Sequence, residues 1–236
     1  MLAAASSFHG VHIAHHQGGQ LSEVDNPYLR LFLSLAHLLY LDQLPGLQPE
    51  REFEEWEWRE IATAHWQLEK KRESATQHFA WAIPNLSALQ EIAHHGSIIE
   101  LGCGNGYWAW LLRKMGVDIL ACDPLAAGDP GSHRDAGTTA WTELLTAGVE
   151  ILSAPGHRER TLFLCWPPPF SSMAADCLKL YQGNRLLYVG EEPGGCCGDE
   201  EFEELIRRDW LLEKRVNIPR WPAPFVKDSL YVYRRR

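Results

Sequence analysis

The twelve residues Ser97-Ile98-Ile99-Glu100-Leu101-Gly102-Cys103-Gly104-Asn105-Gly106-Tyr107-Trp108 constrain the fold more than any other part of the chain. Ile98, Ile99 and Leu101 form a short apolar, β-prone run, which predicts a buried strand. Gly102, Gly104 and Gly106 follow at every second position. A turn of this kind can use positive φ and lets backbone approach a ligand with no Cβ between them. Trp108, Leu111, Leu112 and Met115 then recur at helical spacing, with Gly116 placed to end the helix. Strand, glycine turn and helix start together make a cofactor cradle, because the open N–H groups of a first helical turn point at a bound anion.

The chemistry of the turn narrows the cofactor. A dinucleotide fingerprint, G-x-G-x-x-G, wants its third glycine where Tyr107 stands. Glu100, just ahead of the turn, would repel a pyrophosphate and attract a cation. S-adenosyl-L-methionine carries a sulfonium, an ammonium and a carboxylate, and so suits both the acid and the helix start. Glu100-Leu101-Gly102-Cys103-Gly104-Asn105-Gly106 resembles the first motif of the class I S-adenosylmethionine-dependent methyltransferases: an acid, one spacer, then G-x-G-x-G. The resemblance implies a Rossmann-like, seven-stranded, mostly parallel sheet with an antiparallel C-terminal strand. Here a helical cap is expected in front of it. We expect a tail and cap over residues 1–82 and the cofactor-binding domain over 83–236.

Composition sets the outer bounds. Apolar residues at 45% and charged residues at 22% suit a globular protein able to bury a core. The formal charge of -9, from 31 acids and 22 bases, argues against a broad nucleic-acid or anionic-membrane footprint. The six cysteines form no CxxC pair, so a reducing compartment, the cytoplasm, is expected. The apolar run from Leu31 to Leu41 is too short to cross a bilayer. His9, His12, His15 and His16 stand in a Gly-rich tail with no matching carboxylate or thiol, and no metal site is expected there.

Along the chain, helices are expected over Pro27–Leu41, broken by Pro45-Gly46, and over 49–78, with Phe53, Trp56, Ile61, Ala64 and Leu68 as the buried stripe. Asn85 is positioned to cap a helix running to His94. Phe79 and Trp81, directly before it, are candidates to fold over the cofactor. Val117 to Asp123 reads as the second strand, and Asp123 as the acid that receives the ribose hydroxyls. Residues 125–137 read as a loop, Thr139–Ala147 as a helix and Val149–Leu152 as the third strand. The family places adenine contacts after that strand, which nominates Ser153 and Ala154.

Thr161 to Cys165 reads as the fourth strand, running into Trp166-Pro167-Pro168-Pro169-Phe170. This is where the family's fourth motif faces the methyl group. In amino methyltransferases that motif reads Asp, Asn or Ser, then Pro-Pro and an aromatic residue. Trp166 replaces the polar residue here. Trp166, Pro167 and Pro168 are therefore expected as an acceptor-side wall, with the Trp166 π face available to the sulfonium. Glu191 opens a glycine-rich loop at the same strand-end edge. Met173–Tyr181 and Glu200–Trp210 read as helices, and Asn184–Val189, Leu211–Ile218 and Ser229–Tyr233 as the closing strands. The expected activity is methyl transfer to an unidentified small molecule or protein, of unspecified oligomeric state. The alternatives are a non-catalytic cofactor- or partner-binding module on the same fold, and a nicotinamide oxidoreductase.

Overall fold

The computed structural model describes residues 25–35, 55–125, 139–221 and 226–236. The histidine tail, the break at Pro45-Gly46, Phe53 and nearly all of the 125–137 loop lie outside them, as does the side chain of Ile61.

The chain runs α1 (Pro27–Ser34), α2 (Glu55–His78), α3 (Leu86–Ala93), β1 (Ile98–Leu101), α4 (Tyr107–Lys114), β2 (Ile119–Asp123), β3 (Leu145–Thr146), a 3-10 turn (Val149–Ser153), β4 (Thr161–Cys165), α5 (Met173–Leu180), β5 (Arg185–Gly190), α6 (Glu200–Asp209), β6 (Trp210–Asn217) and β7 (Ser229–Arg235). The sheet order is β3-β2-β1-β4-β5-β7-β6. β7 is antiparallel to both of its neighbours, and the other registers are parallel. This is the Rossmann-like sheet with a reversed C-terminal strand that the sequence implies.

Alternation along the strands builds two cores. Ile98, Phe163, Leu187, Val189 and Leu230 face α1 to α4. Ile99, Leu101, Leu162, Leu164 and Leu186 face α5 and α6. A sheet covered by helices on both faces needs apolar residues at consecutive strand positions, which is why β1, β4 and β5 are nearly continuous hydrophobic runs.

Local signals set most helix ends. The Asn85 side chain accepts the Ala88 N–H at 2.9 Å, as expected for an N-cap. Asp199 does the same for α6, accepting from the Phe202 N–H at 2.9 Å. Acids fill the first turn of α6 and arginines its last, matching the helix dipole. Gly116, at φ +80°, ends the turn after α4. On α2, Ala64 and Leu68 are buried as expected, but Trp56 is 59% exposed and does not join the stripe.

The region before β4 departs from expectation. Thr139–Ala147 is not helical. It is an extended strap whose Leu145–Thr146 forms β3, and Val149–Leu152 lies within the 3-10 turn. The cause lies outside the segment. Arg113 of α4 donates to Thr142 Oγ1 at 2.5 Å and to the Glu143 carbonyl at 2.7 Å, while the Trp141 N–H donates to the Asn105 carbonyl at 2.9 Å. These bonds hold the strap open across the start of α4 and leave its N–H groups no helical partners.

Helix α1 is tied to the sheet side of the molecule by a buried network. Tyr107 Oη donates to Asn26 Oδ1 at 2.8 Å and accepts the Tyr28 N–H at 3.0 Å. The Trp221 indole N–H donates to Tyr28 Oη at 2.8 Å. Among the described residues no helix is long and apolar enough to cross a membrane.

Candidate active site

The carboxyl ends of β1, β2 and β4 open into one cavity of about 470 Å³, roofed by the end of α2 and the segment after it. That volume lies within the usual range for small-molecule sites, roughly 300–1,000 Å³. Two groups of lining residues matter. Glu100, Gly102, Cys103, Gly104, Asn105 and Asp123 come from β1, the glycine turn and β2; Trp81, Cys165, Trp166 and Pro168 stand on the other side.

The three turn glycines all have positive φ, at +70°, +54° and +73° for Gly102, Gly104 and Gly106. Each non-glycine residue held there would cost about 1 kcal/mol or more. At Gly104 an added Cβ would project into open space, whereas at Gly106 it would meet Leu144 Cδ2 at 2.5 Å. Gly104 therefore presents bare backbone to the cavity. Gly106 is needed for strap packing and does not line the cavity. Helix α4 begins at Gly106 with no side-chain cap, leaving its first N–H groups open to an anion.

Asp123 is fixed by two backbone donors. Oδ2 accepts the Gly104 N–H at 2.9 Å and Oδ1 the Leu125 N–H at 3.1 Å. Asn105 serves the scaffold: its amide donates to the carbonyls of Gln77 at 2.5 Å and His78 at 3.3 Å, tying the turn to the end of α2.

Three buried polar atoms of lining residues have no hydrogen-bond partner among the described residues: Glu100 Oε2, Asn105 Oδ1 and the Trp108 indole N–H. Glu100 is 1% exposed, and burial pushes its carboxyl up to about 8, opposed by Arg113 and reinforced by Asp123. Orphaned buried polar groups are costly, by about 1–3 kcal/mol each. All three belong to residues that line the one cavity.

On the far side, Trp166 sits at φ +51° and Phe170 at φ +59°, the two non-glycine residues with positive φ among those described. The Trp166 N–H bonds to the Val189 carbonyl at 2.8 Å, and its indole N–H donates to Asp228 Oδ2 at 3.1 Å. The Trp81 and Trp166 rings stack with centroids 5.7 Å apart at 19°. Pro167 does not line the cavity; its carbonyl accepts the Gly198 N–H at 3.0 Å, tying the wall to the loop after β5. Glu191 is held by the N–H groups of Cys196 and Lys227, both at 2.8 Å, and acts there as a loop anchor.

Ser153 and Ala154 are not brought to the cavity. With the third strand at Leu145–Thr146, they end the 3-10 turn instead of following a strand, and Ser153 is exposed. Pro124 and Leu125, directly after β2, line the cavity in their stead. The sequence reading also missed Trp108 as a lining residue. Its helical spacing marks it as core, and it is 1% exposed, but its indole N–H has no partner among the described residues. Asp228 was missed as well, being 62 residues from its indole partner.

No protein-family model matches the chain, and no curated protein matches its sequence. Among solved structures, it is similar to a 1,6-didemethyltoxoflavin-N1-methyltransferase from Burkholderia thailandensis, at 13% identity and TM-score 0.43, over 78% of this chain and 92% of that one. It is also similar to the 23S rRNA methyltransferase ErmE, at 18% identity and TM-score 0.39, over 65% and 69%. An rRNA methylase from Streptococcus thermophilus follows at 14% and 0.36, over 63% and 92%. The chain thus has a Rossmann-like, mostly parallel sheet with a reversed seventh strand, an acid within β1 ahead of the glycine turn and an acid closing β2.

Proposed function

We propose that the protein is a methyltransferase that takes its methyl group from S-adenosylmethionine. The observation that carries this reading is the fully buried Glu100 beneath the glycine turn, its Oε2 without a partner among the described residues, lining the same cavity as Asp123 and Trp108. In this reading Glu100 and the Asn105 Oδ1 receive the ammonium. The Trp108 N–H and the start of α4 receive the carboxylate, and Asp123 receives the ribose hydroxyls. Bound S-adenosylmethionine supplies an electrophilic methyl on a cationic sulfur. The chain's own part is positioning: it holds the donor still, keeps water out with the α2 end and Trp81, and aims the acceptor from the Trp166 side. Alignment of this kind can account for about 7–11 kcal/mol of a barrier.

Calorimetry with the purified protein tests the reading. Saturable one-to-one binding of S-adenosylmethionine and S-adenosylhomocysteine is expected, with no comparable binding of NADH. Absence of saturation for both sulfur compounds would overturn it. Release of S-adenosylhomocysteine on incubation with a small-molecule extract separates an enzyme from a binding module. Nicotinamide chemistry has no support from the Glu100 side of the turn.

Two further outcomes are expected. Trp108→Phe removes only the indole donor and part of the ring, and should weaken S-adenosylhomocysteine binding about tenfold, the size of one lost bond to a charged group. Binding should also be pH-dependent. Free Glu100 holds its proton below about 8, while the ligand's ammonium, titrating at about 7.7–8.0, favours the carboxylate. Affinity should therefore rise between pH 6 and 7.5, approaching tenfold per pH unit, with one proton released per ligand. Titrations in buffers of different ionisation enthalpy count that proton, and Glu100→Gln should abolish it.

A further inference from the structure

The acceptor side of the cavity carries chemistry of its own. Trp81 and Trp166 bring two near-parallel indoles to the lining, with Pro168 beside them. The chain keeps Trp166 in a left-handed conformation that disfavours a bulky side chain, and fixes it through its main-chain N–H and its indole N–H. Backbone strain of this kind, about 1–3 kcal/mol, persists only where the surroundings enforce it, and it clusters at functional sites. The indole's partner is Asp228, which is 2% exposed and has its second oxygen, Oδ1, unpaired among the described residues. An indole whose N–H points at a carboxylate is richer in π-electron density on its faces.

The lining carries no basic side chain among the described residues. The ionisable side chains among the described lining residues are the carboxyls of Glu100 and Asp123 and the thiols of Cys103 and Cys165, with no Lys, Arg or His. Burial pushes the Cys165 thiol well above its ordinary range, so it is a poor proton acceptor. With the two carboxyls engaged by the cofactor, the acceptor side presents indole faces and no cation among the described lining residues, which favours a cationic occupant over an anionic one.

We infer that the acceptor is a neutral, planar nitrogen heterocycle, methylated at its ring nitrogen on the Trp81–Trp166 platform. This rests on the methyl-transfer reading above. The ring-nitrogen lone pair forms the new N–CH3 bond as the S–CH3 bond breaks, and that bond's electron pair stays on sulfur. The positive charge passes from sulfonium to ring nitrogen, and no proton moves. The step needs no general base. Its product, an N-methylated aromatic cation, is the species that the indole faces hold best. Asp228 acts as a positioning residue: it orients Trp166 and enriches its ring without touching the acceptor.

The test uses the full chain saturated with S-adenosylhomocysteine and three probes of similar shape: N-methylquinolinium as the product-like cation, quinoline as the neutral heterocycle and 2-naphthoate as the anion. N-methylquinolinium should bind at least about tenfold more tightly than 2-naphthoate, the size of a desolvated cation–π contact. Trp166→Leu should remove that preference while S-adenosylhomocysteine still binds. Asp228→Asn keeps the shape and removes the charge. It should weaken the cation about threefold and leave quinoline unchanged, which a purely structural role would not do. Equal binding of cation and anion, or a preference that survives Trp166→Leu, overturns the inference alone. Failure of S-adenosylhomocysteine itself to bind overturns the methyl-transfer reading, and this inference with it.

Discussion

Glu100→Gln is expected to make the ligand-free protein more stable and at the same time to cripple its cofactor binding. The wild-type carboxyl lies fully inside the protein, and burial raises it from 4.5 to about 8. The unfolded chain ionises freely above about pH 4.5, so folding near pH 7 takes up a proton. A raised carboxyl contributes its full stability only below its unfolded pKa, and loses it as pH climbs toward the folded value. At pH 7 that loss is about 3 kcal/mol, since each pKa unit is worth 1.36 kcal/mol. The glutamine carries no proton to take up, so its melting temperature at pH 7 should exceed the wild type's by roughly 5–10 °C. The difference should shrink toward zero near pH 4.5. Scanning calorimetry at those two pH values reads it directly. S-adenosylmethionine affinity should fall by at least about tenfold, as for removal of one partner of a charged contact. A destabilised variant, or one that binds normally, would show that Glu100 is a core residue with no ligand role.

Gly104→Val carries the second large effect, by a different route. The space beyond Gly104 is open, so no packed neighbour resists the new side chain. The backbone does resist: at φ +54° a β-branched residue costs about 1–2 kcal/mol. The added methyls would lie in the cavity, where the ligand must touch main chain. Binding of S-adenosylhomocysteine should fall beyond detection, by about a hundredfold or more, while the protein still folds with a melting temperature lowered by roughly 3–8 °C. Gly106→Val makes the contrast. Its Cβ meets Leu144 in the strap, so there the main loss should be stability.

The parts of the fold visible in the sequence are those whose causes are local. β1 and β2 are short apolar runs ended by a glycine turn and an acid, and Asn85 caps its helix three residues ahead of the N–H group it receives. The segment from Thr139 to Ala147 looked helical because its apolar spacing permits a helix. Its real conformation is imposed by Arg113 and Asn105, about thirty residues upstream, and a local window cannot contain that information. The nomination of Ser153 and Ala154 followed from the misplaced third strand. The glycine turn and Asp123 are brought together as expected, in one cavity with the Trp166 wall. The unpaired N–H of Trp108 and the Asp228 carboxylate behind Trp166 could not be foreseen. Both depend on which atoms are left without partners once the chain is packed.

The amide of Asn105 joins the glycine turn to the last carbonyls of α2. That helix is 24 residues long, about 36 Å at 1.5 Å per residue, and it shows Trp56 and Trp66 to solvent well away from the turn. The same hydrogen bonds that shape the turn therefore also fix where the last turn of that helix lies over the cavity.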